Sequence, residues 1–555
     1  MRRVLLFVVL TACTGASALG QEQDSTLSEK KDTLQTVQDF EVITDRWRDI
    51  QPPPYELYVA GSLLDPYNQN ILKGDFPFLG QNTFFVLIAS LDQFGTLVKV
   101  PTPSGVATRD VGQSSFFGRW ERLILNSRAN LTVEIYNGDA AFRPRDWEVK
   151  VTGSFNYNYV RLQEHNGVNF NVRKGHDRED SHFGFQELSF EKHLFDISDR
   201  YDFISAKVGI QRFSSDFRGF IFTDYNLGAR LFGSAANNRI QYNVIILPLL
   251  EKETNSELNT VFDDREQTVC IANWYHQDLL ALGHTTQFSF HYNNDRASRH
   301  FDENGFPVRP SLLGNARPHD VTSMFAGWTG DGHFGVLNVN HAVYYVFGTD
   351  DFNSLAGRPV DISAYMSALE LSIDQDWMRF KVSGLYASGD DAPTDGVGGG
   401  FDAIIDQPIF AGGPFGFWNS QGIGLQGVGL VQRNSFLPNL RSNKFEGQSN
   451  FVNPGFVLLG LGYEADLTPE LKAILHGNYM RFANTSSLEQ FLNQSSLHEQ
   501  IGIDLSLGIL YRPFFNNNAI VAIGFAAFSP MAGFTDIYER SGMLYSTFAS
   551  VIMTY

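Results

Sequence analysis

The sequence predicts an all-β chain that closes into a single transmembrane antiparallel β-barrel of roughly 16–18 strands. Three observations point there. Extended stretches alternate oily and polar side chains with the period of two that a strand imposes. Many run about 9–14 residues, which suits a tilted bilayer crossing better than the usual soluble strand of about 5–6. The links between them are tight and long by turns, as they are when one end of a barrel carries short turns and the other long loops.

Composition bounds the alternatives. The 555 residues are 43% hydrophobic and include 48 Phe, 21 Tyr and 50 Gly, a mixture that a lipid-facing wall with aromatic girdles uses. Beyond the N-terminus no stretch is apolar enough to cross a bilayer as a helix. A net charge of −19 argues against a nucleic-acid partner held through phosphates. The two cysteines, Cys13 and Cys270, leave no disulfide framework and no Cys-cluster metal site.

At the N-terminus, Met1-Arg2-Arg3, the apolar run Val4 to Leu10 and the small residues Ala16-Ser17-Ala18 read as a signal peptide over 1–20. Leu10-Thr11-Ala12-Cys13 also has the form of a lipobox, which leaves lipidation at Cys13 open. Residues 21–79 are polar, then proline-stiffened, and read as a periplasmic tail and lead-in. The barrel occupies 80–555.

Strands are expected near 83–91, 128–137, 147–161, 183–195, 203–212, 226–233, 238–249, 266–276, 284–293, 321–328, 335–347, 361–374, 377–388, 453–464, 471–483, 499–512, 519–528 and 545–555. The third is the clearest: Trp147, Val149, Val151, Phe155, Tyr157 and Tyr159 alternate with Glu148, Lys150, Thr152, Ser154, Asn156 and Asn158. In the last strand Tyr545, Thr547, Ala549, Val551 and Met553 share a face, and the chain stops on Tyr555. Short links at 234–237, 278–283, 375–376, 466–470 and 513–518 contrast with long ones at 294–320, 389–452 and 484–498. Periodicity alone does not separate a lipid-facing wall from a soluble sandwich whose oily faces meet across a core.

The lumen candidates are polar residues expected on inward faces. In the 361–388 hairpin Glu370 and Asp374 lie opposite Leu369, Leu371 and Ile373, and Arg379 and Lys381 follow the turn, so a transverse charge row in water is expected. The long 389–452 loop is rich in Gly and aromatics. Phe401, Phe415, Phe417 and Trp418 make it too apolar for free solution and candidate for a constriction folded into the barrel mouth. Its opening, Gly389-Asp390-Asp391, reads as a solvated acidic tip rather than a calcium loop. No HExxH, GxSxG or compact His/Cys spacing occurs, so no catalytic residue, metal or cofactor is expected.

A C-terminal amphipathic strand ending on an aromatic resembles the closing strand of Gram-negative outer-membrane barrels, where it is the signal for the assembly machinery. The run Val208-Gly209-Ile210-Gln211-Arg212-Phe213, then Asp216-Phe217-Arg218-Gly219-Phe220 and Gly228-Ala229-Arg230-Leu231, resembles the alginate-export branch of the porin superfamily. Ile210 stands where that branch carries Arg. The resemblance implies an outer-membrane channel and adds Arg212, Arg218 and Arg230 as lumen candidates. The expectation is therefore a barrel in the cell outer membrane that passes small hydrophilic solutes or a saccharide without chemistry, compatible with a homotrimer. The alternative is a structural sleeve, its lumen plugged by its own loops or by a partner such as a periplasmic electron-transfer protein.

Overall fold

The computed structural model describes residues 70–100, 121–138, 143–162, 167–200, 202–420, 423–425, 428–431, 435, 437–514, 517–538 and 542–555. The stretch expected as a signal peptide, Cys13 and most of the expected 21–79 tail lie outside the described residues.

Eighteen long strands form the wall. They are β1 (Thr83–Lys99), β2 (Glu121–Asn137), β3 (Trp147–Arg161), β4 (Asp177–Asp196), β5 (Phe203–Ser214) and β6 (Thr223–Ala235). Next come β7 (Ile240–Lys252), β8 (Asn259–Gln277), β9 (His284–Asp295), β10 (Val321–Phe334), β11 (Leu337–Asn353) and β12 (Arg358–Gln375). The last six are β13 (Met378–Ala387), β14 (Phe456–Thr468), β15 (Leu471–Arg481), β16 (Gln500–Tyr511), β17 (Ala519–Pro530) and β18 (Leu544–Thr554). Each pairs antiparallel with the next, and β1 also pairs with β18 from Ser90↔Thr554 to Lys99↔Tyr545, so the sheet closes. Closure leaves no strand edge unpaired in lipid.

That register puts the start of β1 and the end of β18 at one end of the barrel. The links there are tight, such as Gly335–Val336 and Asp376–Trp377, whereas 296–320, 388–455 and 482–499 connect strands at the other end. Short helices sit at this end too: α1 (Ser486–Leu492) in the 482–499 loop and α2 (Ala532–Tyr538) in the link between β17 and β18. At the tight end, the lead-in folds back on the C-terminus: Lys73 Nζ lies 3.9 Å from the centroid of the Tyr555 ring, and Asn70 Nδ2 donates to its hydroxyl.

The oily faces point outward, as a membrane wall requires and a sandwich does not. Leu459, Leu461 and Leu505 are 61%, 67% and 61% exposed, while Asn156, Asn293 and Asp504 on the opposite faces are buried. Trp274, Phe288 and Trp328 cluster on the outer surface toward the tight end, and Tyr345, Phe347, Tyr365 and Tyr386 toward the loop end. These are girdle positions, with aliphatic residues such as Val343 and Leu369 between them.

The inward faces change character along their length, and β12 shows it. On β12 the inward face is polar at Glu370 and Ser372, but nearer the loop end it becomes Val360, Ile362, Ala364 and Met366. Its outward face turns polar over the same stretch, at Asp361, Ser363 and Ser367. The inward partner changes from water to protein halfway up the barrel, because loops fill the upper lumen.

Candidate functional site

The lumen has two storeys. The lower, toward the tight end, is lined by paired charges. On one arc Arg145 contacts Glu134 and Glu148, Lys150 Nζ lies 3.1 Å from Glu187, and Lys207 reaches Glu148 at 3.4 Å and Glu191 at 3.3 Å. On another, Glu464 is bridged by Lys381 and by Lys472, the latter at 2.7 Å, and Arg379 forks onto Asp374 at the rim. Alternation on neighbouring strands brings these groups level, so each cation has a carboxylate across a strand boundary. Such a row leaves charges in wet space at modest cost while keeping the local sum near neutral.

The upper storey holds two inward loops. The first, residues 215–222, turns on Asp216, whose carboxylate accepts the N–H groups of Arg218 (2.9 Å), Gly219 (2.6 Å), Phe220 (3.0 Å) and Ile221 (3.2 Å). Asn273 and Gln287, inward on β8 and β9, donate to the Ser215 carbonyl at 3.0 and 2.6 Å and fix it to the wall. The second is the 388–455 loop. Its backbone runs along the first: Ile405 N–H donates to Ile221, Gln407 N–H to Gly219 and Ile409 N–H to Arg218. The partners run in opposite senses along the two loops, and a single isolated bridge pairs Phe222 with Ile405.

Aromatics anchor the long loop. Phe417 stacks on Phe528 (5.5 Å between centroids) and its N–H donates to Asp504, while Trp418 lies 5.1 Å from Phe456. Phe415 lies on bare strand at Gly508, where an added Cβ would come within 2.3 Å of its ring. Gly412 (φ +96°) makes the turn that sets this chain against His476. Farther along, Arg441 and Lys444 form a buried knot with Asp402 and Asp406, and Arg441 also donates to four backbone carbonyls. A loop with its own buried charge cluster and apolar anchors is a folded element, not a random coil.

The candidates fall as follows. Glu370 lies inward on β12 and meets Arg218 of the first loop at 3.1 Å, a pair that ties loop to wall. Arg230 is inward on β6, hydrogen-bonded to Asn243 at 2.7 Å. Lys381 belongs to the Glu464 bridge, and Asp374 and Arg379 pair at the exposed rim. Arg212 stands apart: it pairs with Tyr225 on the face opposite Gln211, whose amide is inward and buried. The positive φ of Gly209 marks the local irregularity in that strand. Phe401, Phe415, Phe417 and Trp418 are all buried inside the barrel. Of the expected solvated tip, Asp391 and Asp395 are exposed, whereas Asp390 is buried and accepts the N–H groups of Ala392 and Gly399. Burial pushes its carboxyl up to about 6. Sequence reasoning missed Asp216 and Glu464. An Asp followed by Arg-Gly is an Asx-turn signal for the first, whereas the partners of Glu464 come from two other strands.

Among the described residues, two clusters at the loop end bring metal-type donors within 4.8 Å of one another: His319 with Asp350 and Asp351, and Asp180 with Glu253 and Glu303. Their atoms are already engaged. His319 contacts Asp350 and the Phe352 carbonyl, and Glu253 accepts the N–H groups of Asn255 and Ser256.

No protein-family model and no curated protein matches the chain. Solved structures similar to it include OccK7 (OpdD) of Pseudomonas aeruginosa, at 10% identity and TM-score 0.47, covering 85% of this chain and 98% of that one. OccAB4 of Acinetobacter baumannii is similar at 10% identity and TM-score 0.45, covering 84% and 98%. The outer membrane protein OpdK of Pseudomonas aeruginosa is similar at 8% identity and TM-score 0.42, covering 84% and 98%. The alginate-export branch is not supported by these likenesses.

Proposed function

We propose that the protein is an outer-membrane channel for passive or substrate-selective passage of small hydrophilic solutes or a saccharide, with the 388–455 loop as its constriction. The reading rests on one observation above the rest: a closed wall, oily outside, surrounds a lower lumen lined by charged side chains in water-accessible rows. Closed barrels of about eighteen strands enclose an aqueous space unless something fills it. Solutes then meet paired charges below and the folded loops above. Export of a polyanion fits less well, because the basic residues of the rows are each answered by a carboxylate. The last strand, ending at Tyr555, is read as the signal for the assembly machinery.

The second reading, a plugged sleeve, draws support from the upper storey. There Phe401, Ile405, Phe417 and Trp418 of the loop join Phe325, Ile362 and Met366 of the wall in one buried apolar cluster. Planar-bilayer recording of the refolded, leader-free protein separates the two. Stable ohmic steps in the unmodified protein favour the channel. Insertion without steps, reversed by excising 401–450, favours the sleeve.

A further inference from the structure

The outward face of β18, β1 and β2 carries a side chain that lipid cannot satisfy. Gln93 lies in the oily row of β1, between Leu91 and Leu97, which are 36% and 43% exposed. Its cross-strand neighbours are Ser127 on β2 and Val551 on β18. Val551 falls between Tyr545 and Tyr555, the aromatics at the two ends of the last strand, so the amide stands near mid-membrane. The Ser127 hydroxyl donates to Gln93 Oε1 at 2.7 Å. Among the described residues nothing accepts from Gln93 Nε2. Hydrocarbon offers no acceptor either, so an amide donor facing outward at this depth is costly.

The surface around it fits a second protein wall. Gly95, Ala129 and Ala549 leave a shallow dip beside the amide, and the exposed side chains of Leu91, Leu97, Leu125 and Leu131 stand around it. Small residues let two membrane-embedded backbones approach closely, and polar side chains then bond across the contact. We propose that this face is a docking surface for a second copy of the chain, related by a two-fold axis that runs along the membrane normal past Gln93.

Two arguments pick that occupant. A carboxamide is its own complement: Nε2 of each copy donates to Oε1 of the other, which keeps a second lone pair beside the one that takes Ser127. A two-fold sets the same residue against itself, whereas a three-fold ring sets this patch against a different one. Strand tilt of about 35–45° also makes the two facing β1 strands cross steeply, so contact concentrates around one point. A self-complementary amide in a dip, ringed by leucines, suits such a crossing.

The inference requires the wall to lie in lipid, and holds whether the pore is open or plugged. Refolded protein carrying Cys13→Ser and Cys270→Ser is placed in phospholipid vesicles, and single added cysteines are treated with a short bismaleimide. A549C, beside the axis, is expected to give a cross-linked dimer; L369C, exposed on β12, is not. Gln93→Leu is expected to weaken the dimer about tenfold in detergent sedimentation, the loss of two hydrogen bonds of this class, and to deplete the A549C cross-link accordingly. Gln93 and Ala549 both face outward, and heat-modified gel mobility checks that each variant closes. A protein that stays monomeric overturns the proposal. So does a trimer, a dimer that survives Gln93→Leu unweakened, or an L369C variant that cross-links as well as A549C. Conductance recorded in the same vesicles tests the channel reading separately.

Discussion

Trp418→Ala is the most informative single change. The indole is 1% exposed, seated within the barrel on Phe456, and belongs to the loop rather than the wall. Truncating a buried aromatic of this size costs about 3–5 kcal/mol. Because the strands keep every ladder hydrogen bond, that cost falls on docking of the 388–455 loop and not on closure of the barrel. At 1.4 kcal/mol per decade, the ratio of docked to undocked loop drops by about two to three and a half decades. A loop whose other anchors hold, Phe417 on Phe528 and its N–H on Asp504, then samples the open state often enough to record. In planar bilayers the variant is expected to show larger or more frequent conductance steps, with unchanged heat-modified mobility on gels. Steps of the same size and frequency as the parent, from a protein whose loop has become protease-sensitive, refute the assignment of this loop as the constriction. A variant that loses the barrel altogether refutes the separation of loop energetics from wall energetics.

Three further outcomes follow from the same geometry. Glu464→Gln leaves Lys381 and Lys472 without their shared carboxylate, and one charge is worth about 1 kcal/mol at close range in water, so the permeability ratio is expected to move several-fold toward anions in reversal-potential measurements. The Asp390 carboxyl is raised by burial to about 6 in the folded loop, above its value in an open one. The folded loop therefore holds the extra proton between about pH 4 and 6, and its stability is greatest below that window and falls as pH rises through it. Limited proteolysis of the loop is expected to speed up from pH 4.5 to 7, and Asp390→Asn, a mimic of the neutral form, is expected to abolish that rise. Leu461→Arg places a charge on the lipid face of β14, where the native side chain is 67% exposed, and is expected to cost about 2–4 kcal/mol in refolding equilibria in lipid vesicles. A change near zero places β14 outside the membrane.

Much of the wall was legible in the sequence because strand geometry is local. Alternation at Trp147–Arg161 needs only the period of two, and the observed β3 covers the expected 147–161. The eighteen expected strands each have a counterpart, and tight and long links fall on opposite ends, since hairpin closure is also a short-range matter. The outward set of the last strand, Tyr545 to Met553, follows from the same counting.

What the upper lumen contains could not be read that way. The inward face of β12 is polar at Glu370 and apolar at Ile362 because a loop beginning some twenty residues later fills the space opposite Ile362. Asp390 looks like a solvated tip until Gly399 and Ala392 turn their N–H groups onto it. Arg212 sits next to an inward glutamine, and its own direction depends on the register set around Gly209. The partners of Glu464 are drawn from β13 and β15, and Glu370 finds Arg218 across the barrel, 152 positions away in the chain. Sequence by itself determined a run of two-faced strands joined by tight and long links in turn, because each strand's two faces declare themselves within a few residues; that the sheet closes with its oily faces outward is a matter of tertiary structure. Which inward side chains meet water, which meet the loops, and which charges answer one another was decided only by tertiary structure, because those relations are set by closure of the sheet and the path of the loops inside it.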